Sequence, residues 1–310
     1  MKVRFYIVMV SFILSFSRAN ADSNLNIVVS IKPFHSLVSG VMDGVSIPRL
    51  LLKGNLSPHR YSMKPSDAEE LQYAEIIFWG GENLEIFLTK PISSLSKKAK
   101  VISLLQIDGL LLKSFRALRH SGKSEIFEFY TSNLSNDQYK EQKLAVDPHI
   151  WLDPANAKEM LHEIAHELAD LDPDNASKYE SNADQAIKSI DKMIKDIDTN
   201  INKDAKFIVF HDAYQYFETR FGVMTAGALT LNTDVLPGAK QISEIQEVIE
   251  ERDIKCIFSE PQFNPKIIET IAKDTGIKTG VLDPLGSIFD ANKMQYFKLI
   301  NDLGNKLKDC

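Results

Sequence analysis

The sequence is 310 residues long, 44% hydrophobic and 25% charged, with a formal net charge of -6. A chain of this length and apolar content can bury a sizeable core, and its length is a soft prior for two domains. The acidic balance argues against a nucleic-acid partner.

The N-terminus reads as an export signal. Lys2 and Arg4 precede an apolar run from Phe5 to Phe16, and Ala19-Asn20-Ala21 has the small-x-small form of a signal-peptidase site. Cleavage there removes Lys2, Arg4 and Arg18, taking the formal net charge from -6 to -9. The apolar run is too short for a permanent span, and no other stretch approaches the roughly 20 apolar residues a membrane helix needs. No cysteine follows the cleavage site, so no lipoprotein anchor is expected. Residues 1–21 are thus read as a leader and the mature protein as periplasmic. In an oxidising compartment an even pair of cysteines, Cys256 and Cys310, is read as a disulfide.

From Asn26, NIVVSIKP reads as a strand stopped by Pro33, and Phe34 to Met42 carries apolar residues at helical spacing. Val45 to Leu52 is a second strand. After a turn-rich segment containing His59, Ser66 with Glu69 three residues later forms a capping-box start for a helix. Strands over Glu75 to Trp79 and Lys100 to Leu105 flank a helix near Leu84 to Leu88. Arg119 to Val146 is polar and aperiodic, and reads as a surface loop.

Next comes VDPHIWLDP, which holds His149 between two Asp-Pro steps whose prolines, Pro148 and Pro154, disfavour helix at Asp147 and Asp153. His149 is therefore placed on a rigid, extended piece. An amphipathic helix over Pro154 to Leu171 follows, then a polar run from Asn175 to Ile201 without Gly or Pro, read as one long helix linking two lobes. The second half repeats the alternation, with strands at Lys206 to Phe210, Lys255 to Ser259 and Lys278 to Leu282 and helices at Ile242 to Glu251 and Pro265 to Asp274. The expected fold is α/β: two lobes, residues 22–172 and 205–310, each a mostly parallel sheet flanked by helices, joined by a helix within residues 173–204, with a metal site in the cleft.

Ligands of open α/β sheets bind beyond the carboxyl ends of the strands, where His211 and Asp283 fall. Facing lobes would bring His59 and His149 to the same cleft. Three neutral imidazoles and a carboxylate suit Zn²⁺, whereas manganese would prefer more carboxylates. A competing motif is His162-Glu163-Ile164-Ala165-His166, the HExxH pattern of zinc hydrolases. The stripe Leu161, Ile164, Leu168 and Leu171 leaves both histidines at the edge of the buried face, and no third histidine follows at metzincin spacing. His35 reads as packing and His120 as solvated.

Taken together, SIKPFHSLVSGVM, SPHRYSMKPSDA, DPHIWLDPANA, FHDAYQYF, TDVLPGAKQISEI, FSEPQFNP and LDPLG resemble the periplasmic zinc-binding proteins of ABC importers, the ZnuA type. The resemblance spans nearly the whole mature chain. It implies a non-enzymatic receptor, expected to be monomeric, that captures Zn²⁺ as cargo and passes it to a membrane permease. It also implies zinc ligands at His59, His149 and His211, with histidine at the third position favouring zinc over manganese. Asp283 corresponds to a fourth ligand in some members; others use water or a glutamate, and Pro58 stands where some carry that glutamate. A disulfide such as Cys256–Cys310 occurs in some members. The loop between the first two ligand motifs is often histidine-rich, but here it contains only His120. A manganese or iron receptor and an HExxH hydrolase are the alternative readings.

Overall fold

The computed structural model describes residues 25–121, 124–130, 146–230, 237–308 and 310; residues 1–21, read above as a leader, and Asp22 lie outside the described residues. Two four-stranded parallel sheets form its frame. The first has the order β2-β1-β3-β4, built from β1 (Ile27–Val29), β2 (Arg49–Leu50), β3 (Ile76–Trp79) and β4 (Lys100–Ser103). The second has the order β10-β9-β7-β8, from β7 (Phe207–His211), β8 (Gly227–Thr230), β9 (Cys256–Ser259) and β10 (Lys278–Val281). Helices α1 (Lys32–Val41), α2 (Pro65–Tyr73), α3 (Ile86–Leu95), α4 (Pro154–Leu171), α5 (Ala176–Asn200), α6 (Gln215–Phe221), α7 (Ala239–Glu251), α8 (Lys266–Thr275) and α9 (Gln295–Lys308) cover the faces.

The central strands are continuous apolar runs because both sheet faces are covered. Successive side chains alternate between faces. Ile27, Val29, Ile76 and Phe78 point into the main core, while Val28, Ile77 and Trp79 meet Leu71 and Leu88 in a separate cluster. In the second sheet Phe207 and Val209 enter the same main core, and Ile208 and Phe210 pack outward with Ile245, Val248 and Ile271. One core thus runs through both lobes.

The long helix α5 is 25 residues, slightly shorter than the sequence suggested. It is not a bare rod. Tyr179, Ala183, Ile190, Met193 and Ile197 are buried, packed with α4 and α1 and with Leu299, Leu303 and Leu307 of α9. Gly304 in α9 sits against Ile197, and any larger side chain there would crowd it. Although α9 follows the second sheet in sequence, it returns to pack on α1 and α5.

Three local expectations are corrected, and one strand, β8, was not read from the sequence. Helix α2 begins at Pro65, and the carboxylate of Asp67 accepts the Lys64 N–H at 2.8 Å, so the box is closed two residues before Glu69. The segment from Arg119 onward is not wholly irregular: β5 (Ala117–Ser121) and β6 (Ser124–Tyr130) form an antiparallel hairpin, and β6 contacts β8 and α7. Strand β8 had no distinct sequence signal, since GALT offers neither alternation nor β-branched enrichment. Around His149 the chain is not extended: Ile150–Leu152 form a 3₁₀ turn, and the Asp153 side chain caps α4 by accepting from Ala155 N–H at 2.8 Å.

The Cys256–Cys310 disulfide is present, with Cα atoms 5.8 Å apart. It ties the end of α9 to β9, a central strand. Replacing both cysteines with serine is expected to lower unfolding free energy by about 2–5 kcal/mol. Denaturant titrations of the two proteins check this, and an unchanged midpoint would mean that core packing alone fixes α9.

Candidate metal centre

His59 and His149, on loops, converge with His211, at the end of a strand. His59 lies between β2 and α2, His149 immediately before the 3₁₀ turn, and His211 at the last position of β7. One ring nitrogen from each lies within 4.8 Å of the other two. The Nε2 atom of His149 is 3.4 Å from Nε2 of His59 and 3.4 Å from Nε2 of His211. Among the described residues this is the only cluster of three or more His, Cys, Asp or Glu donors with such spacing. Ser57, Pro58, Trp151, Glu260, Gln262, Phe263, Pro284 and Leu285 complete the walls of the cleft.

Carboxylates on the far side of two rings set their orientation. Asp147 Oδ1 accepts from His149 Nδ1 at 2.6 Å and from its backbone N–H at 3.0 Å. Glu260 Oε1 accepts from His211 Nδ1 at 2.6 Å, across the adjacent ends of β7 and β9. A proton held at Nδ1 leaves each Nε2 lone pair directed into the cleft, the arrangement by which metal-binding imidazoles are fixed. Gln215 donates to Asp147 Oδ2, and Tyr216 Oη donates to the Asp147 carbonyl at 2.8 Å, so α6 holds the first-lobe loop.

The rings differ in proton affinity. Burial lowers the His59 pKa well below its ordinary value, and repulsion from His149 and His211 adds to the effect. At His211 burial also acts downward, but Glu260, through charge and hydrogen bond, with Asp212 and Asp147, outweighs it and leaves the pKa raised. Of these two, His59 is the readier neutral ligand and His211 holds a proton more strongly.

Asp283 is buried, but its oxygens are engaged elsewhere. Oδ1 accepts from Leu285 N–H at 3.0 Å and Gln262 Nε2 at 2.9 Å, and Oδ2 from the Ser287 backbone N–H at 2.5 Å and hydroxyl at 2.6 Å. These bonds shape the LDPLG turn, where Gly286 has φ +57° and an added Cβ would collide with Gln295 and Leu299. Asp283 does not join the three-imidazole cluster.

The remaining histidines separate cleanly. His35 is buried, bonded through Nε2 to the Pro48 carbonyl at 3.0 Å, as expected of a packing residue. His162 and His166 are exposed on α4 and do not line the cleft. The side chain of His120 lies outside the described residues, as does most of the TDVLPG motif.

The family model described as zinc-uptake complex component A, periplasmic, matches residues 27–310. The chain belongs to this ZnuA family. ZnuA-family relatives named high-affinity zinc uptake system protein ZnuA include that of Brucella abortus strain 2308, 40% identical over 309 residues, covering 94% of this chain and 92% of the relative. The protein of that name from Yersinia pestis is 32% identical over 290 residues, covering 92% and 90%. A ZnuA crystal structure superposes with a TM-score of 0.74 at 25% identity, covering 91% of this chain and 99% of the other. Across the ZnuA family model the two-sheet frame and the three histidine segments fall within one continuous match.

The sequence reading missed the carboxylates behind the imidazoles. Asp147 lies two residues before His149, and Glu260 directly follows the strand CIFS, so both were visible as acids beside candidate sites. Their pairing to particular ring nitrogens required the folded geometry.

Proposed function

We propose that this chain is a non-catalytic zinc-binding component of an uptake system, which captures Zn²⁺ between its lobes and delivers it to the membrane permease of an ABC importer. The observation that carries this reading is the convergence of three imidazoles with carboxylates holding two of them from behind. Nitrogen-rich, low-charge donor sets suit zinc, and the absence of a carboxylate from the three-donor cluster among the described residues favours zinc over manganese. Under this reading His59, His149 and His211 are the ligands. Asp283 contributes negative charge from beneath the cleft and, on turning from its present partners, a fourth oxygen.

The two-lobed division at residues 172 and 205, the cleavable leader at 1–21, the periplasmic site of action and the monomeric state belong to the same proposal. Its support is the ZnuA-family match, whose description names a periplasmic component of a zinc-uptake complex.

The test is metal analysis and competition titration of the mature protein and of Asp283→Asn. One equivalent of zinc is expected to be bound, with Asp283→Asn weakening it less than alanine at any of the three histidines. Preferential retention of manganese by the unmodified protein would overturn the reading.

A further inference from the structure

The HExxH segment that the cleft does not use occupies a second, separate place on the surface. His162 and His166 lie on consecutive turns of α4, four residues apart, so their side chains share one face. Both are exposed, the His166 side chain at 67%. They line a groove between α4 and the edge strand β4, together with Glu159, Glu163 and Asp108. Glu159 stands three residues before His162 on the same stripe, and Asp170 four residues after His166, its Oδ2 3.9 Å from His166 Nε2. Asp170 is partly committed to Lys100 at 3.6 Å.

We propose that His162 and His166 form an auxiliary, weak site for borderline divalent transition ions, with water completing the shell. Two imidazoles at i and i+4 on a formed helix can close a chelate without backbone rearrangement, because α4 is already fixed by its buried face of Leu161, Ile164 and Leu168. The acidic groups around the groove favour cation approach. An open site with two protein nitrogens and no enclosing wall holds its ion weakly and exchanges it rapidly. Its affinity order is expected to follow Cu²⁺ above Zn²⁺ for an unconstrained nitrogen pair. This gives the chain a surface imidazole pair for loosely held metal, separate from the loop that carries only His120.

Calorimetric titration of the metal-free mature chain with Zn²⁺ alone, carried to several equivalents, tests the site. A second, weaker event is expected. In His162→Ala/His166→Ala it should weaken at least tenfold, and each single substitution should lose nearly as much as the double, because one imidazole cannot chelate. The first event should be unaffected. Absence of a second event in the unmodified protein, or its persistence in the double variant, overturns the proposal. The cleft reading fails on a different result, persistence of the first event in His149→Ala. Both substituted positions are exposed, and circular dichroism of the variants confirms that the fold is retained.

Discussion

Alanine at His149 is expected to lower zinc affinity by about 100-fold or more. Structural zinc sites bind with about 10–16 kcal/mol shared among four ligands, so one ligand contributes about 3 kcal/mol, and every 1.4 kcal/mol is a factor of ten. His149 should matter most because its Nε2 is 3.4 Å from each of the other two and its ring is buried. Competition against a chromophoric chelator at pH 7.5 measures the loss, and unchanged affinity would remove the cluster from consideration. Asp147→Asn and Glu260→Gln, which leave the imidazoles in place but unfix their orientation, should each cost about 10–100-fold.

Acid should release the ion through one ring first. A metal binds only the neutral imidazole, so a proton competes earliest at the ring whose pKa is raised. That ring is His211, whereas the lowered pKa of His59 keeps it neutral to lower pH. Zinc affinity is therefore expected to fall as pH drops, and His211→Ala should show a shallower fall than the unmodified protein. Equal slopes would exclude His211 from contact with the ion.

The largest expected effect on stability lies behind the cleft. Arg116 is buried between two second-lobe carboxylates. Its Nε lies 2.9 Å from both oxygens of Asp212; Nη1 is 2.8 Å from Glu218 Oε2, and Nη2 is 3.0 Å from Glu218 Oε1. Removing a cation from such a group strands buried negative charge, and Arg116→Met is expected to destabilise the protein by about 3–5 kcal/mol. Burial already pushes the Asp212 carboxyl up to about 6 against the opposing pull of Arg116. Without Arg116 that carboxyl should rise further, so the folded variant takes up protons more readily than the unfolded chain. The deficit should then be fullest above the raised folded pKa and shrink as pH falls through it. Thermal melts of both proteins at pH 8 and pH 5 test this; a deficit independent of pH would show that Arg116 acts through packing instead.

Why the cleft is positioned so firmly follows from the contacts that cross it. Trp151 Nε1 donates to the Pro284 carbonyl at 2.7 Å, and Tyr296 Oη donates to the Trp151 carbonyl at 2.8 Å. Lys32 Nζ donates to the carbonyls of Ser287 and Phe289 at 2.5 Å and 3.1 Å. Each joins a segment of the first half to one of the second. Together with the shared core they hold the three histidine segments in register, which limits how far the lobes can part without breaking buried contacts.

The sequence by itself determined the alternation of strands and helices, because a parallel sheet covered on both faces demands unbroken apolar runs such as IIFW and FIVF, and these are local patterns. It also singled out His59, His149, His211 and Asp283 as the residues to follow, and helical spacing placed His162 and His166 at the edge of the buried stripe of α4, where the structure leaves both exposed. Other features had no local signature. Strand β8 forms because β7 offers it an edge, and the N-terminal box of α2 closes on Asp67 through backbone geometry, whereas the hairpin β5–β6 had a signal in SEIFEFY that reading the whole stretch as polar passed over. Only the tertiary structure decided that imidazoles 90 and 62 residues apart meet at 3.4 Å. It also decided that Asp147 and Glu260 hold their Nδ1 protons while Asp283 spends its oxygens on its own turn. Such distances depend on the packing of two sheets against one shared core, where every contact is non-local and no spacing along the chain encodes it.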